Sequence, residues 1–138
     1  MRHPSLRERA RYWTAFALDL GQVLWTLPRV ERGRRRGSPG DVLEMLRARG
    51  KAARRRSERS ERRLARAIRW VDRLGPGGPN CLRRALLRVA LDPVAAEKEV
   101  VLGLNLTRLR SGERSDAAGH AWVGDAEPEG RYEVEFRV

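Results

Sequence analysis

Apolar positions recur at helical spacing through the first half of the chain. From about Leu6 to Leu27, the residues Trp13, Phe16, Leu20, Val23, Leu24 and Leu27 fall on one broad face, which predicts an amphipathic helix ending before Pro28. Arg32-Gly33-Arg34-Arg35-Arg36-Gly37 and Ser38-Pro39-Gly40 then read as a loop, because glycines and clustered like charges oppose a helix. Asp41 is placed to cap a short helix from Val42 to Arg49, with Gly50 as its terminator or bend. A third helix is expected from about Ala52 to Leu74. Leu64, Ala67, Ile68, Val71 and Leu74 form its apolar stripe, and Arg54 to Arg56, Arg59, Arg62, Arg63, Arg66 and Arg69 mostly coat its solvent face. Gly75-Pro76-Gly77-Gly78-Pro79 cannot sustain a regular element and stops it.

A fourth helix follows from Asn80 to Leu91, with apolar residues at 82, 85, 86, 89 and 90 and Cys81 in its first turn. Beyond it the period changes. Glu99 to Leu106, Gly119 to Val123 and Arg131 to Val138 are β-branched and apolar enough for strands, with Gly112 and Asp125 to Gly130 supplying turns. Helices, a cysteine-bearing helix, then an antiparallel meander of three strands make an α+β pattern.

The 138 residues suffice for a single domain with one modest core, which excludes a Rossmann domain with a partner domain, a TIM barrel or a repeat array. At 41% hydrophobic the chain is not disordered as a whole. The net charge of +12 is unevenly spread: residues 1 to 80 carry 21 basic against 8 acidic groups, while residues 81 to 138 carry 9 against 10. The domain thus divides into a basic helical part, 1–79, and a nearly neutral part, 80–138. Asp19 and Gln22 interrupt the apolar N-terminal stretch, and no run is long enough to span a bilayer. One cysteine excludes an intramolecular disulfide, and Cys81 with His3 and His120 supplies too few ligands for a structural zinc site. No cofactor or metal is expected, and a reducing, cytoplasmic setting is the simplest reading. The glycine-rich 75–79 segment lacks the Gly-Lys-Ser/Thr of a phosphate loop, and Glu127 and Glu129 flank Pro128 in a turn where solvation accounts for them.

Two residues carry candidate chemistry. At a helix N-terminus, unpaired N–H groups and a partial positive charge favour a thiolate at Cys81 and offer donors to an oxyanion. His120, mid-strand between Gly119 and Ala121, has the side chain that takes a thiol proton and returns it to a leaving group near neutral pH. Each also has a plain reading: Cys81 as a small buried hydrophobe, His120 as a half-buried strand residue.

Cys81-Leu82-Arg83-Arg84-Ala85-Leu86 at a helix start, followed by a strand and then Gly119-His120-Ala121-Trp122-Val123, resembles the transglutaminase-like cysteine peptidases of lasso-peptide biosynthesis, the microcin-processing McjB type. The likeness is strongest over residues 64–125. It implies a transglutaminase/papain-like core over 80–138 with Cys81 as nucleophile and His120 as base, in an enzyme that removes the leader from a ribosomally made precursor. A separate ATP-using lasso cyclase would then join the freed amine to an acidic side chain. The family's third catalytic residue is an Asp on the strand after the histidine. Here that strand offers Glu133 and Glu135, and Asp125 lies in the preceding turn. A hairpin centred on Pro128 sets residue 136 opposite His120, making Glu135 the nearest acid. Strict alternation then puts Glu133 and Glu135 on the other face, so a bulge or register shift has to re-aim the pair. The plain reading leaves both as solvent-facing strand residues. The segment 92–98 lacks the Arg/Gly-rich connection of the family, and Ser111 to Ala118 is an added polar loop.

Two other classes compete: a catalytically silent binding protein on the same core, and a nucleic-acid-binding module drawn to phosphate by the basic half. Against the latter, no zinc finger or RNA-recognition signature is present and few aromatics interleave the arginines, so no specific nucleic acid is expected. The helical first part has no room for a winged-helix leader-binding domain, so leader recognition is assigned to a separate small protein that meets the basic helices.

Overall fold

The computed structural model describes residues 5–104, 110, 112, 119–124 and 134–138, and of residues 39, 104 and 134–136 the backbone alone. Helix α1 (Leu6–Arg36) opens at Ser5 with a capping box: the Ser5 hydroxyl accepts from the Glu8 N–H, and the Glu8 carboxylate accepts from the Ser5 N–H at 2.7 Å. It does not stop at Pro28, and the arginine cluster expected as a loop continues it. Pro28 is exposed and removes only one ladder bond, while a guanidinium N–H of Arg29 donates to the adjacent Trp25 carbonyl at 3.1 Å. Past the proline, Val30 is fully buried and Glu31 pairs with Arg34, Arg35 and the distant Arg83. Packing and ion pairs therefore carry the helix onward, and its basic last turn suits the negative end of the macrodipole.

The buried seam of α1 is Phe16, Asp19, Val23, Thr26 and Val30, spaced alternately three and four residues apart. Trp13 and Leu24, expected inside, are exposed. Two polar residues occupy the seam because their partners are supplied. The Asp19 carboxylate accepts from Arg56 at 2.8 Å and Arg63 at 2.6 Å, and the Thr26 hydroxyl donates to the Gln22 carbonyl.

Helix α2 (Pro39–Lys51) starts after Ser38, ahead of the expected cap at Asp41. Gly50 is not its terminator but its point of closest approach to α4 (Cys81–Leu91). A Cβ there would lie 1.9 Å from the Val89 carbonyl oxygen, so only glycine fits. Helix α3 (Glu58–Leu74) begins at Ser57, later than the expected Ala52, which leaves Arg56 in a connector from which it reaches Asp19. The short α5 (Pro93–Ala96) opens at Asp92, whose carboxylate accepts from the Val94 N–H. Helix α4 packs against α1, α2, α3 and the sheet, so the basic helical part and the strands share one core.

Strands β1 (Val100–Leu104), β2 (Gly119–Val123) and β3 (Val134–Arg137) form an antiparallel sheet, completing an α+β fold. Their order is β2-β1-β3, which overturns the expected meander: β1 is central and β2 does not pair with β3. The physical reason is composition. Val100 and Val101 are both buried, as a central strand requires, whereas the edge strands carry His120, Glu135 and Arg137. No helix among the described residues is long and apolar enough to cross a membrane.

Candidate active site

Cys81 is the first residue of α4, and its position is set by the groups around it. Asn80 caps the helix: its side-chain oxygen accepts from the Arg83 N–H at 3.0 Å and its carbonyl accepts from the Arg84 N–H. The Asn80 N–H in turn donates to both carboxylate oxygens of Asp72, at 3.0 and 3.1 Å. Asp72, a buried residue in the last turn of α3, is therefore tied directly to the start of the cysteine helix.

Arg83, only 1% exposed, completes the frame. Its guanidinium donates to Asp72 at 3.0 Å, Glu31 at 2.5 Å, and the carbonyls of Pro76 at 2.5 Å and Gly78 at 2.9 Å. Gly77 and Gly78 both have positive φ, the conformation that folds this loop back over the guanidinium. Arg84 adds a 3.3 Å ion pair to the other Asp72 oxygen. Burial alone would raise the Glu31 carboxyl, but hydrogen bonds from Arg83 and Arg34 outweigh it and hold the group below its ordinary value. One planar cation thus fastens α1, α3, the glycine-proline loop and α4 together.

His120 lies on edge strand β2, half-buried, with its ring stacked at 6.1 Å on Trp122, two residues along the same pleat. Cys81 and His120 line one groove of about 290 Å³, bordered by α3 (Ala65, Arg69), α4 (Arg84, Arg88) and β2. Burial first, and the nearby Arg84 charge second, hold the imidazole below the ordinary histidine value of 6.5. No hydrogen bond joins Cys81 to His120 among the described residues.

The acid expected beside His120 is placed differently. Gly103 pairs with His120 on one side and with Glu135 on the other, so two strand spacings, roughly 10 Å, separate the two positions. Leu102, not His120, is the partner of Phe136. Direct partners occupy the same pleat phase, so His120 and Glu135 belong to one face of the sheet, contrary to the opposite faces a β2–β3 hairpin required. Glu133 and Asp125 lie outside the described residues. Reading the sequence missed the role of Arg83 and Asp72. The signal was present in Asp72, an acid set between Val71 and Leu74 of an apolar stripe, and an Arg-Arg pair inside a cysteine helix.

No family model, curated protein or solved structure matches this chain.

Proposed function

We propose that the protein is a cysteine peptidase on a transglutaminase-like core, with Cys81 as nucleophile and His120 as general base, and that it removes the leader from a ribosomally synthesised lasso-peptide precursor. The observation that carries the chemistry is the shared groove, which brings together two residues 39 positions apart. The leader-peptidase assignment rests on the resemblance of the Cys81 and His120 motifs to that family.

The steps follow from the groups present. Neutral His120 takes the Cys81 proton as the sulfur attacks the scissile carbonyl carbon, forming a C–S bond and an oxyanion. Asn80 already occupies the Arg83 and Arg84 amides, so the Cys81 and Leu82 amides at the helix start are the donors left for that oxyanion. The C–N bond then breaks, and the imidazolium gives its proton to the departing amine. Water, deprotonated by His120, hydrolyses the thioester to a carboxylate and restores the thiol. The nucleophile–base contact tightens when a substrate fills the groove.

Because the imidazole titrates below its ordinary value, the acid limb of kcat/KM lies below pH 6.5. Arg84→Gln removes one cause of the shift and moves that limb upward, toward 6.5, in a pH–rate profile. The same shift makes the histidine's contribution to stability complete above 6.5 and lost as pH falls through the folded value.

Glu135 is the acid proposed to orient His120 across Gly103, which has no side chain to fill the surface between the two positions. Glu135→Gln then lowers kcat by about 10-fold or more while leaving KM unchanged. Full turnover in steady-state kinetics would make the site a Cys–His dyad.

A separate leader-recognition protein and a lasso cyclase are the proposed partners, in a reducing cytoplasmic setting, with the basic helices contacting acidic surface in a salt-sensitive way. Mass spectrometry of a precursor incubated with the protein and its leader-recognition partner tests the reading. Leader release that iodoacetamide pretreatment blocks supports it, and an intact precursor under all conditions sinks it.

A further inference from the structure

A second groove, of about 340 Å³, lies between α1 and α3 and is lined by Trp13, Phe16, Arg66, Arg69, Trp70 and Arg73. Arg69 borders this groove and the Cys81–His120 groove alike, so the two are neighbours on either side of one side chain. Trp13 and Trp70 are 62% and 55% exposed, costly positions for so large an apolar side chain unless something covers them. Trp13 is held by edge-to-face packing against Tyr12 and Phe16, at 5.6 and 5.9 Å, and Arg66 donates to the Tyr12 hydroxyl at 2.9 Å. Arg69 and Arg73 make no ion pair among the described residues.

Preset tryptophans ringed by guanidiniums are the residue types that dominate binding energy at protein–peptide contacts. The charge of the walls selects the occupant: Arg69 and Arg73 carry positive charge that a ligand with carboxylates would match, whereas Arg84 and Arg88 in the adjoining groove already pair with Asp72 and Asp92. We propose that the Trp13–Trp70 groove docks an acidic peptide segment bearing a large apolar or aromatic side chain, and thereby holds substrate in register with Cys81. This deepens the peptidase reading and rests on it for the word substrate, though binding stands apart from cleavage. A peptide fits better than a nucleic acid because the neighbouring groove, on the other side of Arg69, is lined by a thiol and an imidazole, groups with work to do on an acyl centre.

The test uses the full chain with Cys81→Ala, so that turnover does not interfere, and a fluorescein-labelled hexapeptide, Glu-Phe-Asp-Glu-Leu-Glu, followed by anisotropy. Binding is expected, weakened by salt, lost when every acid is replaced by lysine, and reduced roughly 30-fold by Trp70→Ala or Arg69→Gln. Both side chains are on the surface, and an unchanged melting temperature verifies the fold of each variant. Absent binding, or affinity indifferent to Trp13→Ala and Trp70→Ala, overturns the proposal. So does tighter binding of a single-stranded oligonucleotide through the same tryptophans. If the peptide binds through Trp70 while the unmutated protein cleaves no precursor, the peptidase reading fails and the groove stands. If cleavage proceeds unaffected by Trp70→Ala and Arg69→Gln, the groove fails and the peptidase reading stands.

Discussion

On the proposed mechanism, Cys81→Ala leaves the precursor uncleaved, with turnover lower by at least about 10⁴-fold, because alanine offers no atom able to form the acyl bond. The fold survives the change. Cys81 is half-buried at the first position of α4, and the frame around it uses Asn80, Arg83 and Asp72, none of which touches the sulfur in its hydrogen bonding. His120→Ala has a similar effect on turnover, and the double variant is no worse than either single one, since nucleophile and base act as a unit. Mass spectrometry of the reaction mixture reads all three, with circular dichroism as the control for folding. Undiminished cleavage by Cys81→Ala removes the covalent mechanism, and loss confined to the cysteine variant removes His120 from it.

The second large effect is on stability. Arg83→Met keeps much of the side-chain volume but leaves Asp72, Glu31 and two loop carbonyls facing an uncharged chain. Losing one partner of a buried ionic cluster costs about 3–5 kcal/mol, a large share of the total stability of a domain this size. Urea unfolding measures the loss as a shift in midpoint. Asp72→Leu alone is similarly damaging, because it also frees the Asn80 N–H and the Arg84 guanidinium. The double variant costs clearly less than the two single losses together, since each change removes the charge that the other leaves stranded. Strict additivity would mean that the two groups contribute independently and that the cluster is not one network.

The cysteine helix was legible because its signals agree: a Gly/Pro stop and apolar residues at helical spacing from Leu82 to Ala90. Strand β2 was legible for a similar reason, as a short apolar run bounded by turn residues. What the sequence concealed depends on distant partners. Asp19 and Thr26 read as polar interruptions until Arg56, Arg63 and the Gln22 carbonyl are seen to satisfy them, and so the seam of α1 was drawn through Trp13 and Leu24 instead. Gly50 reads as a helix end until Val89 is found against it. Pro28 and the arginine run read as a break until Glu31 is seen pairing onward to Arg83. The strand order was recoverable in part, because the run from Val100 to Leu104 has no charged residue, whereas β2 and β3 do carry polar groups. The register that puts Gly103 between His120 and Glu135 was not, since it is fixed by which strand takes the centre.

The central position of β1 bears on the order in which the molecule acquires its chemistry. Every helix packed around α4 precedes β1 in the chain, so the contacts among α1 to α5 need nothing from the strands, even where they reach across 52 positions from Glu31 to Arg83. Both sheet pairings must instead wait for segments that emerge well after β1. The frame of Asn80, Asp72 and Arg83 around the thiol is therefore built from residues that all precede the segment carrying the imidazole. On the peptidase reading, the scaffold that aims the nucleophile is specified independently of the strand that supplies its base.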